Sequence, residues 1–275
     1  MTALLGVEAG RIAPASATSD QVTRAVGTLP AIDLRTLDRG AALLTRVDRK
    51  YVVPVETFAR LVGELDDSWT SLEIGGSRLF GYSSVYFDTE DFVTYRAHLQ
   101  GRRRRYKVRV RRYVDSDDCM LEVKRKGMRG VTVKERRAHP LWQQTELGQD
   151  GQAFVQECLE GHGDPGLSGA MHPVVVTGNR RATLANLSGH SRLTIDTDLA
   201  CGWGASHAAL RPGFVVLESK VEGHGSQVDR LLRRFGVRPV PISKYCVGVA
   251  SLGLDLPANP WRRTMRSYFD IPPTS

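Results

Sequence analysis

The sequence has few of the features that mark disulfide-rich, secreted or membrane-spanning proteins. Its 275 residues include four cysteines, which are far apart and form no Cys-x-x-Cys pair. We interpret them as reduced and mostly structural, since a disulfide framework is unusual in a chain of this length. No apolar run approaches the roughly 20 residues that cross a bilayer, and the N-terminus lacks the apolar core of a signal peptide. These absences predict a cytoplasmic protein with no membrane insertion by this chain.

Aromatic residues are also scarce, at 7% of the chain, and the four tryptophans are dispersed. Single-stranded nucleic acid is usually bound on a platform of stacked aromatic side chains, so no specific nucleic acid partner is expected. Positive charge, in contrast, is concentrated in one segment. Residues 102–137 contain fifteen Lys or Arg and five Asp or Glu, and the rest of the chain carries a net charge of −2. This distribution indicates a localised anionic partner.

Eight short runs alternate between apolar and polar side chains with a period of two, which is typical of β-strands. Helices are predicted after Pro54, from Ser226 and near Ser243. The strands follow one another without a helix between each pair, which favours antiparallel pairing. We therefore predict an α+β fold: an eight-stranded antiparallel β-barrel with flanking helices. The predicted strands cover residues 46–53, 82–89, 105–113, 119–126, 131–137, 173–186, 192–199 and 213–221.

The barrel is predicted to form one domain that spans residues 31–255. Residues 1–30 are rich in small and polar residues without a sustained period, and we expect them to form a flexible N-terminal tail. Residues 256–275 are expected to form a C-terminal tail.

Cations recur on the polar face of one predicted strand after another. Lys107, Arg109 and Arg111 share one face of a strand and repel one another unless an anion lies among them. A single charged face in water would be ordinary, but like charges opposite each other on neighbouring strands destabilise a sheet. The pattern therefore favours a concave surface around a chain of phosphates. The same face of other strands carries Asp48, Lys50, Glu122, Lys124, Lys134, Arg136, Asp196, Glu218 and Lys220.

The interior of an eight-stranded barrel has room for side chains or for one slender ligand, and a polyphosphate is slender. Arg supplies forked donors to phosphate oxygens and Lys supplies point charges. The carboxylates Glu122, Asp196 and Glu218 cannot bind phosphate, but they could hold Mg²⁺ or Mn²⁺, which prefer oxygen ligands and bridge to phosphates. The expected cofactor is therefore Mn²⁺ or Mg²⁺.

Eight motifs in order resemble the VTC domain, the polyphosphate polymerase domain of the vacuolar transporter chaperone complex. They are RVDRKY, RYKVRVRRY, LEVKRK, VKERR, GNRRA, RLTIDTDL, VVLESK and ISKY. The VTC domain belongs to the triphosphate tunnel metalloenzymes, whose fold is an eight-stranded antiparallel tunnel. The resemblance covers about residues 40–252. It implies a phosphotransferase that acts on ATP and on polyphosphate or triphosphate.

The resemblance also implies roles for single residues. Glu218 matches the principal metal ligand, with Glu122 and Asp196 assisting. Arg180 matches the arginine of the Asn-Arg motif, with Arg181 beside it. The implied phosphate-holding residues are Lys50, Lys107, Arg109, Arg111, Lys124, Lys134, Arg180 and Lys244, of which Lys107, Arg109, Arg111, Lys124 and Lys134 are also the expected cofactor-binding residues.

The expected activity is metal-dependent transfer of the γ-phosphate of ATP to a growing polyphosphate chain. Two alternatives stay open: hydrolysis of inorganic triphosphate, a nucleotide or an RNA 5′ end, and a non-catalytic module that binds polyphosphate. The carboxylates argue against pure binding, because a polyanion receptor gains nothing from buried Glu or Asp without a metal. Any link to membrane translocation would need a separate membrane protein.

Overall fold

The structure is a computed structural model that describes residues 8–40, 47–126, 132–161, 166–167, 169–222 and 225–272. The helices are α1 (Ala17–Gly27), α2 (Leu34–Gly40), α3 (Val55–Gly63), α4 (Val93–Leu99), α5 (Gly148–Glu160), α6 (Gln227–Arg234), α7 (Lys244–Ala250) and α8 (Asn259–Tyr268). The strands are β1 (Ala31–Ile32), β2 (Val47–Pro54), β3 (Trp69–Leu72), β4 (Phe80–Asp88), β5 (Arg105–Tyr113), β6 (Cys119–Lys126), β7 (Thr132–Ala138), β8 (His172–Asn186), β9 (Ser191–Trp203), β10 (Ser206–Leu210), β11 (Phe214–Val221) and β12 (Phe269–Asp270).

Eight of these strands form one antiparallel sheet in the order β2-β11-β9-β8-β4-β5-β6-β7. Each corresponds to one of the eight runs with a period of two, so the predicted set of strands and their antiparallel pairing are confirmed. Within the described residues, β2 and β7 are not paired with each other. The sheet curls into a tunnel-like half-closed barrel with a seam between these two strands.

The free edge of β2 is covered by residues 237–242, which connect α6 to α7. The backbone N–H of Val240 donates to the carbonyl of Lys50 at 2.8 Å, and Pro239 and Pro241 on either side have no N–H to donate. This connection therefore lies along the seam in place of a regular strand.

The two faces of the barrel differ in chemistry. Helices α1, α3 and α6 bury Val22, Phe58 and Leu232 against outward-facing apolar residues such as Leu184 and Ile195. Helix α7 packs against another group of buried residues at one end of the barrel. Because apolar side chains on successive strands face these helices, the alternating polar side chains point into the barrel.

Three predicted helices are confirmed: α3 after Pro54, α6 after Ser226 and α7 after Ser243. Ser226 and Asp229 form a capping box at the start of α6, with each side chain accepting a hydrogen bond from the other residue's backbone N–H. Arg46 of the first predicted strand and Val131 of the fifth lie outside the described residues.

The expected tails are wrong for two segments. Residues 17–27 form α1, where Ser16 caps the first turn and Val22 and Val26 are fully buried. Residues 259–268 form α8, in which Trp261 is buried and packs 5.4 Å from the ring of Tyr95. Both helices are short, and their few apolar residues gave no sustained period. Tertiary packing stabilises them where local propensity is weak.

Candidate active site in the barrel interior

Strand β5 carries the densest set of charges into the barrel. Lys107, Arg109 and Arg111 point inward, as predicted. Across the β5–β6 pair Lys107 lies opposite Lys124, and Arg109 lies opposite Glu122. Lys124 in turn lies opposite Lys134 on β7. Three lysines therefore stand side by side on three neighbouring strands, an arrangement that is unfavourable without an anion.

Arg109 has an anionic partner within the protein. Its guanidinium bonds the Glu122 carboxylate through Nε at 2.7 Å and Nη2 at 2.5 Å, and Nη1 donates to the hydroxyl of Tyr86 at 3.0 Å. Lys134 makes a second ion pair with Glu122. Burial alone would raise the pKa of Glu122, but Arg109, Arg111 and Lys134 hold it well below its usual range. The sequence analysis expected a ligand to supply the negative charge among these cations. Glu122 supplies part of that charge instead.

Arg111 is buried, and no carboxylate of the described residues bonds to it. Its Nε lies 3.4 Å from the Ser84 hydroxyl, and its guanidinium is 5.2 Å from the centre of the Tyr82 ring. Burial and then the neighbouring Arg109 lower the pKa of Arg111.

A second ion-paired group lies across the barrel on β8, β9 and α7. Arg181 grips Asp196 with two hydrogen bonds of 2.7 and 2.8 Å, and Lys244 approaches the same carboxylate at 2.9 Å. Asn179 donates to Asp196 at 2.9 Å and accepts from Lys244 at 2.5 Å. Arg181, Lys244 and their hydrogen bonds hold the pKa of Asp196 well below its usual range, although burial opposes them. We call these residues together with Arg109, Glu122 and Lys134 the paired network.

The assignment of Arg180 to the interior is wrong. Arg180 lies on the outer face of β8, where its Nη2 donates to the carbonyl of Ala13 at 3.3 Å. Arg181 occupies the interior position. The signal was present in the alternation: Ala182 and Leu184 are buried against the helices, so Arg180 shares their outward face and Arg181 does not.

The remaining predicted cations form a separate group, which we call the lysine cluster: Lys50, Lys107 and Lys124. Lys50 donates to the carbonyl of Ile242 at 3.2 Å, and Lys107 donates to the Ser243 hydroxyl at 2.8 Å. Among the described residues, none of the three makes an ion pair. The cluster differs from the paired network because its contacts are to neutral oxygens.

A cavity of about 440 Å³ lies beside the lysine cluster, at the free edge of β2. Lys50 and Lys124 line it together with Glu218 on β11, which lies directly opposite Lys50. Asp48 and Arg49 also line it. Burial, in each case the largest cause, lowers the pKa of Lys107 to about 8 and that of Lys124 to about 8. Nearby cations add to the effect, and at Lys124 the carboxylates of Glu218 and Asp48 oppose it. The cavity is therefore a place where positive charge is concentrated and incompletely compensated.

Glu218 is the carboxylate that fits a divalent cation best. Its only ion pair among the described residues is to Lys220, at 3.5 Å, and it lines the cavity. Burial would raise its pKa, but Lys220, Lys50 and Arg181 hold the pKa well below its usual range, so it is charged. Mg²⁺ is commonly held by one or two carboxylates and by substrate phosphates, which such a position allows.

The other two predicted metal ligands do not fit that role. Glu122 and Asp196 are each bound by two cationic side chains, which occupy their oxygens. Within the described ranges, no group of three His, Cys, Asp or Glu side chains forms a ready metal site. A divalent ion here would therefore depend on Glu218 and on phosphate oxygens.

Some interior residues did not appear among the sequence predictions. Besides Arg181, they are Asn179, Tyr82, Tyr86 and Ser243, which hold or stack on the predicted cations. Tyr82 and Tyr86 lie on the same face of β4, four residues apart, and the period of two along this strand could have identified them. The contacts of Asn179 and Ser243 depend on packing between distant segments.

The chain belongs to the VTC domain family: the family model for the VTC domain matches residues 45–253. None of the curated proteins with which the chain was compared matches it. The described helices include none that is both long and apolar enough to cross a membrane.

Several solved structures are similar to the chain at low identity. A candidate adenylyl cyclase from Hippeastrum, described as having a dominant triphosphatase activity, is 17% identical over 77% of this chain and 98% of its own, with a TM-score of 0.46. A candidate adenylate cyclase from Bacillus halodurans is 17% identical over 72% and 93%, with a TM-score of 0.41. The PH1012 protein from Pyrococcus horikoshii is 13% identical over 76% and 100%, with a TM-score of 0.40. Likenesses this distant assign no activity to the chain.

Proposed function

We propose that this protein is a metal-dependent polyphosphate polymerase, which transfers the γ-phosphoryl group of ATP to a growing polyphosphate chain. The observation that carries the proposal is the lysine cluster. Lys50, Lys107 and Lys124 converge beside a cavity, and among the described residues none of the three makes an ion pair with a carboxylate. An anion with several charges along its length complements such a group better than a single small anion does.

The interior residues would divide the work of holding phosphates. The lysine cluster would bind phosphate oxygens beside the cavity, and Arg111 would extend the cationic surface along β5. Lys107 and Arg111 are four residues apart on one strand, which corresponds to about 13 Å. Arg109, Lys134 and Lys244 would add positive charge from the paired network, with Arg181 in the place that the sequence assigned to Arg180.

Glu218 would hold Mg²⁺ or Mn²⁺ together with the phosphates. The ion, when bound, would neutralise charge on the transferred group. Asp48 lines the same cavity and would assist Glu218 in holding the ion.

Transfer to a phosphate chain suits these residues better than transfer to water. The bond between the γ-phosphorus and its bridging oxygen breaks and ADP leaves with that oxygen, while a terminal oxygen of the chain forms the new bond. That terminal oxygen is already anionic, so no general base is needed. Water would have to lose a proton, and Glu122, Asp196 and Glu218 are weak bases because surrounding cations hold their pKa values low, against the opposing effect of burial.

Incubation of the protein with ATP and Mn²⁺ tests the proposal. We expect long polyphosphate on a gel and ADP in solution, and neither product with Glu218→Gln. Release of free phosphate in proportion to ATP consumed, without a chain, would show a triphosphatase. Tight binding of polyphosphate without turnover of ATP would show a binding module.

A further inference from the structure

A second cavity, of about 310 Å³, lies on the outer side of β2, between that strand and the end of α6. It is separate from the barrel interior, and the proposed transfer of phosphate makes no use of it. Its charged lining consists of Arg49, Arg233 and Arg238 with the single carboxylate Asp229.

The one carboxylate in this cavity is already occupied. Asp229 accepts from Arg49 Nη1 at 2.9 Å, from the Tyr51 hydroxyl at 2.8 Å and from the backbone N–H of Ser226 at 3.2 Å. Arg233 and Arg238 are exposed and, within the described residues, neither makes an ion pair. The outer cavity therefore has the same incomplete charge compensation as the lysine cluster.

The two cavities adjoin each other. Arg49 and Pro239 line both of them. The inner cavity is lined by the consecutive residues Asp48, Arg49 and Lys50, whose side chains alternate between the two faces of β2. The shared lining residues place the lysine cluster and the outer arginines beside adjoining cavities at the edge of β2.

We propose that Arg49, Arg233 and Arg238 form an outer subsite that binds the part of a polyphosphate chain extending from the inner cavity past the edge of β2. This inference rests on the proposed function, because the same chain would have its reacting end at the lysine cluster. A long polyphosphate carries charge along its whole length and can bind both cation groups at once. Tripolyphosphate bound at the lysine cluster would leave the outer subsite largely empty.

The variant that tests this subsite is Arg233→Gln with Arg238→Gln, since both side chains are exposed and their replacement leaves the core intact. Arg230→Gln is the control. Arg230 is an exposed arginine on α6, as Arg233 is, and it lines neither cavity. Dissociation constants for tripolyphosphate, ATP and long-chain polyphosphate are measured by calorimetry at one fixed salt concentration. Thermal denaturation of each variant checks that it is folded.

We expect long-chain polyphosphate to bind the unaltered protein more tightly than tripolyphosphate does. An exposed ion pair contributes up to about fivefold to an equilibrium constant. In the double variant the ratio of the two affinities should fall about tenfold. Arg230→Gln should keep the ratio of the unaltered protein.

Each of the following results would overturn the inference. If the double variant keeps the ratio, the outer subsite is wrong while the proposed function stands. If both ligands weaken equally, or if Arg230→Gln has the same effect, the arginines act only through general charge. If ATP weakens while polyphosphate does not, the cavity holds a nucleoside. If the unaltered protein binds none of the three ligands, both the proposed function and the outer subsite are wrong.

Discussion

The barrel interior contains two cationic regions that differ in their partners. In the paired network, each carboxylate is bound by two cations: Glu122 by Arg109 and Lys134, and Asp196 by Arg181 and Lys244. In the lysine cluster, the amino groups of Lys50 and Lys107 donate to neutral oxygens of Ile242 and Ser243. The cations of the first region contact their carboxylates directly, whereas the three lysines of the second region make no ion pair among the described residues, although Glu218 and Asp48 line the same cavity.

The difference shows that a row of cations is not by itself a binding site. Arg109 and Lys107 are two residues apart on the same face of β5, yet Arg109 is ion-paired to Glu122, whereas Lys107 makes no ion pair among the described residues. Removing charge should therefore have opposite effects on stability in the two regions.

The largest expected effect comes from breaking the paired network. Glu122→Gln removes the carboxylate that Arg109 and Lys134 share, and it leaves their charges uncompensated in the interior. Breaking a buried ion pair in this way costs about 3–5 kcal/mol, or a melting temperature about 10 °C lower in a domain of this size. Thermal denaturation without ligand measures the effect. An unchanged melting temperature would show that the pair contributes no net stability.

Glu218→Gln should mainly affect activity. We expect its turnover of ATP to fall at least about a hundredfold, since a divalent ion contributes several kcal/mol to charge stabilisation. The melting temperature should fall less than in Glu122→Gln, because the closest cation to Glu218 is Lys220 at 3.5 Å. The assay is steady-state production of ADP with Mn²⁺, and excess EDTA is the parallel control. Full turnover in either condition would exclude Glu218 as the ligand.

Lys124→Gln should stabilise the empty protein. It removes one of three lysines that lie side by side on β5, β6 and β7, and such like-charged pairs cost about 0.5–1 kcal/mol. The melting temperature should rise by about 2 °C. Lys126→Gln is a suitable comparison, because Lys126 is also exposed on the same strand but lies opposite Arg105 and Thr132, and so has one cationic cross-strand neighbour instead of two. A lower melting temperature for Lys124→Gln would mean that the lysine has a stabilising partner.

The stability of the empty protein should rise between pH 8 and pH 9.5. Burial lowers the pKa of Lys107, Lys124 and Lys134 to about 8 in the folded state, whereas an unfolded lysine titrates near 10.4. Above about pH 8 the unfolded chain binds more protons than the folded one, and stability then increases with pH. Urea denaturation across this range measures the slope, which should be smaller in Lys124→Gln. A flat or falling profile would contradict the low pKa values.

The sequence predicted the eight strands because their period of two is set by local chain geometry. It also predicted that Lys107, Arg109 and Arg111 point inward. It could not show that Glu122 is bound by Arg109 and Lys134, because that depends on the register between β5, β6 and β7. Asn179 reaches Lys244 only through packing of α7 across the barrel, which no local pattern reveals. The error at Arg180 was avoidable, since Ala182 and Leu184 already defined the outward face of β8.

The most direct test of the account is the thermal shift that tripolyphosphate produces, compared with orthophosphate and with sulfate at matched ionic strength. A ligand that binds only the folded state at a hundredfold excess over its Kd adds about 2.7 kcal/mol, or a shift of several degrees. We predict that shift for tripolyphosphate, little for orthophosphate or sulfate, and a clearly smaller tripolyphosphate shift in Lys124→Gln. An equal shift from sulfate would reflect general screening of charge, and it would contradict the claim that the lysine cluster binds a phosphate chain.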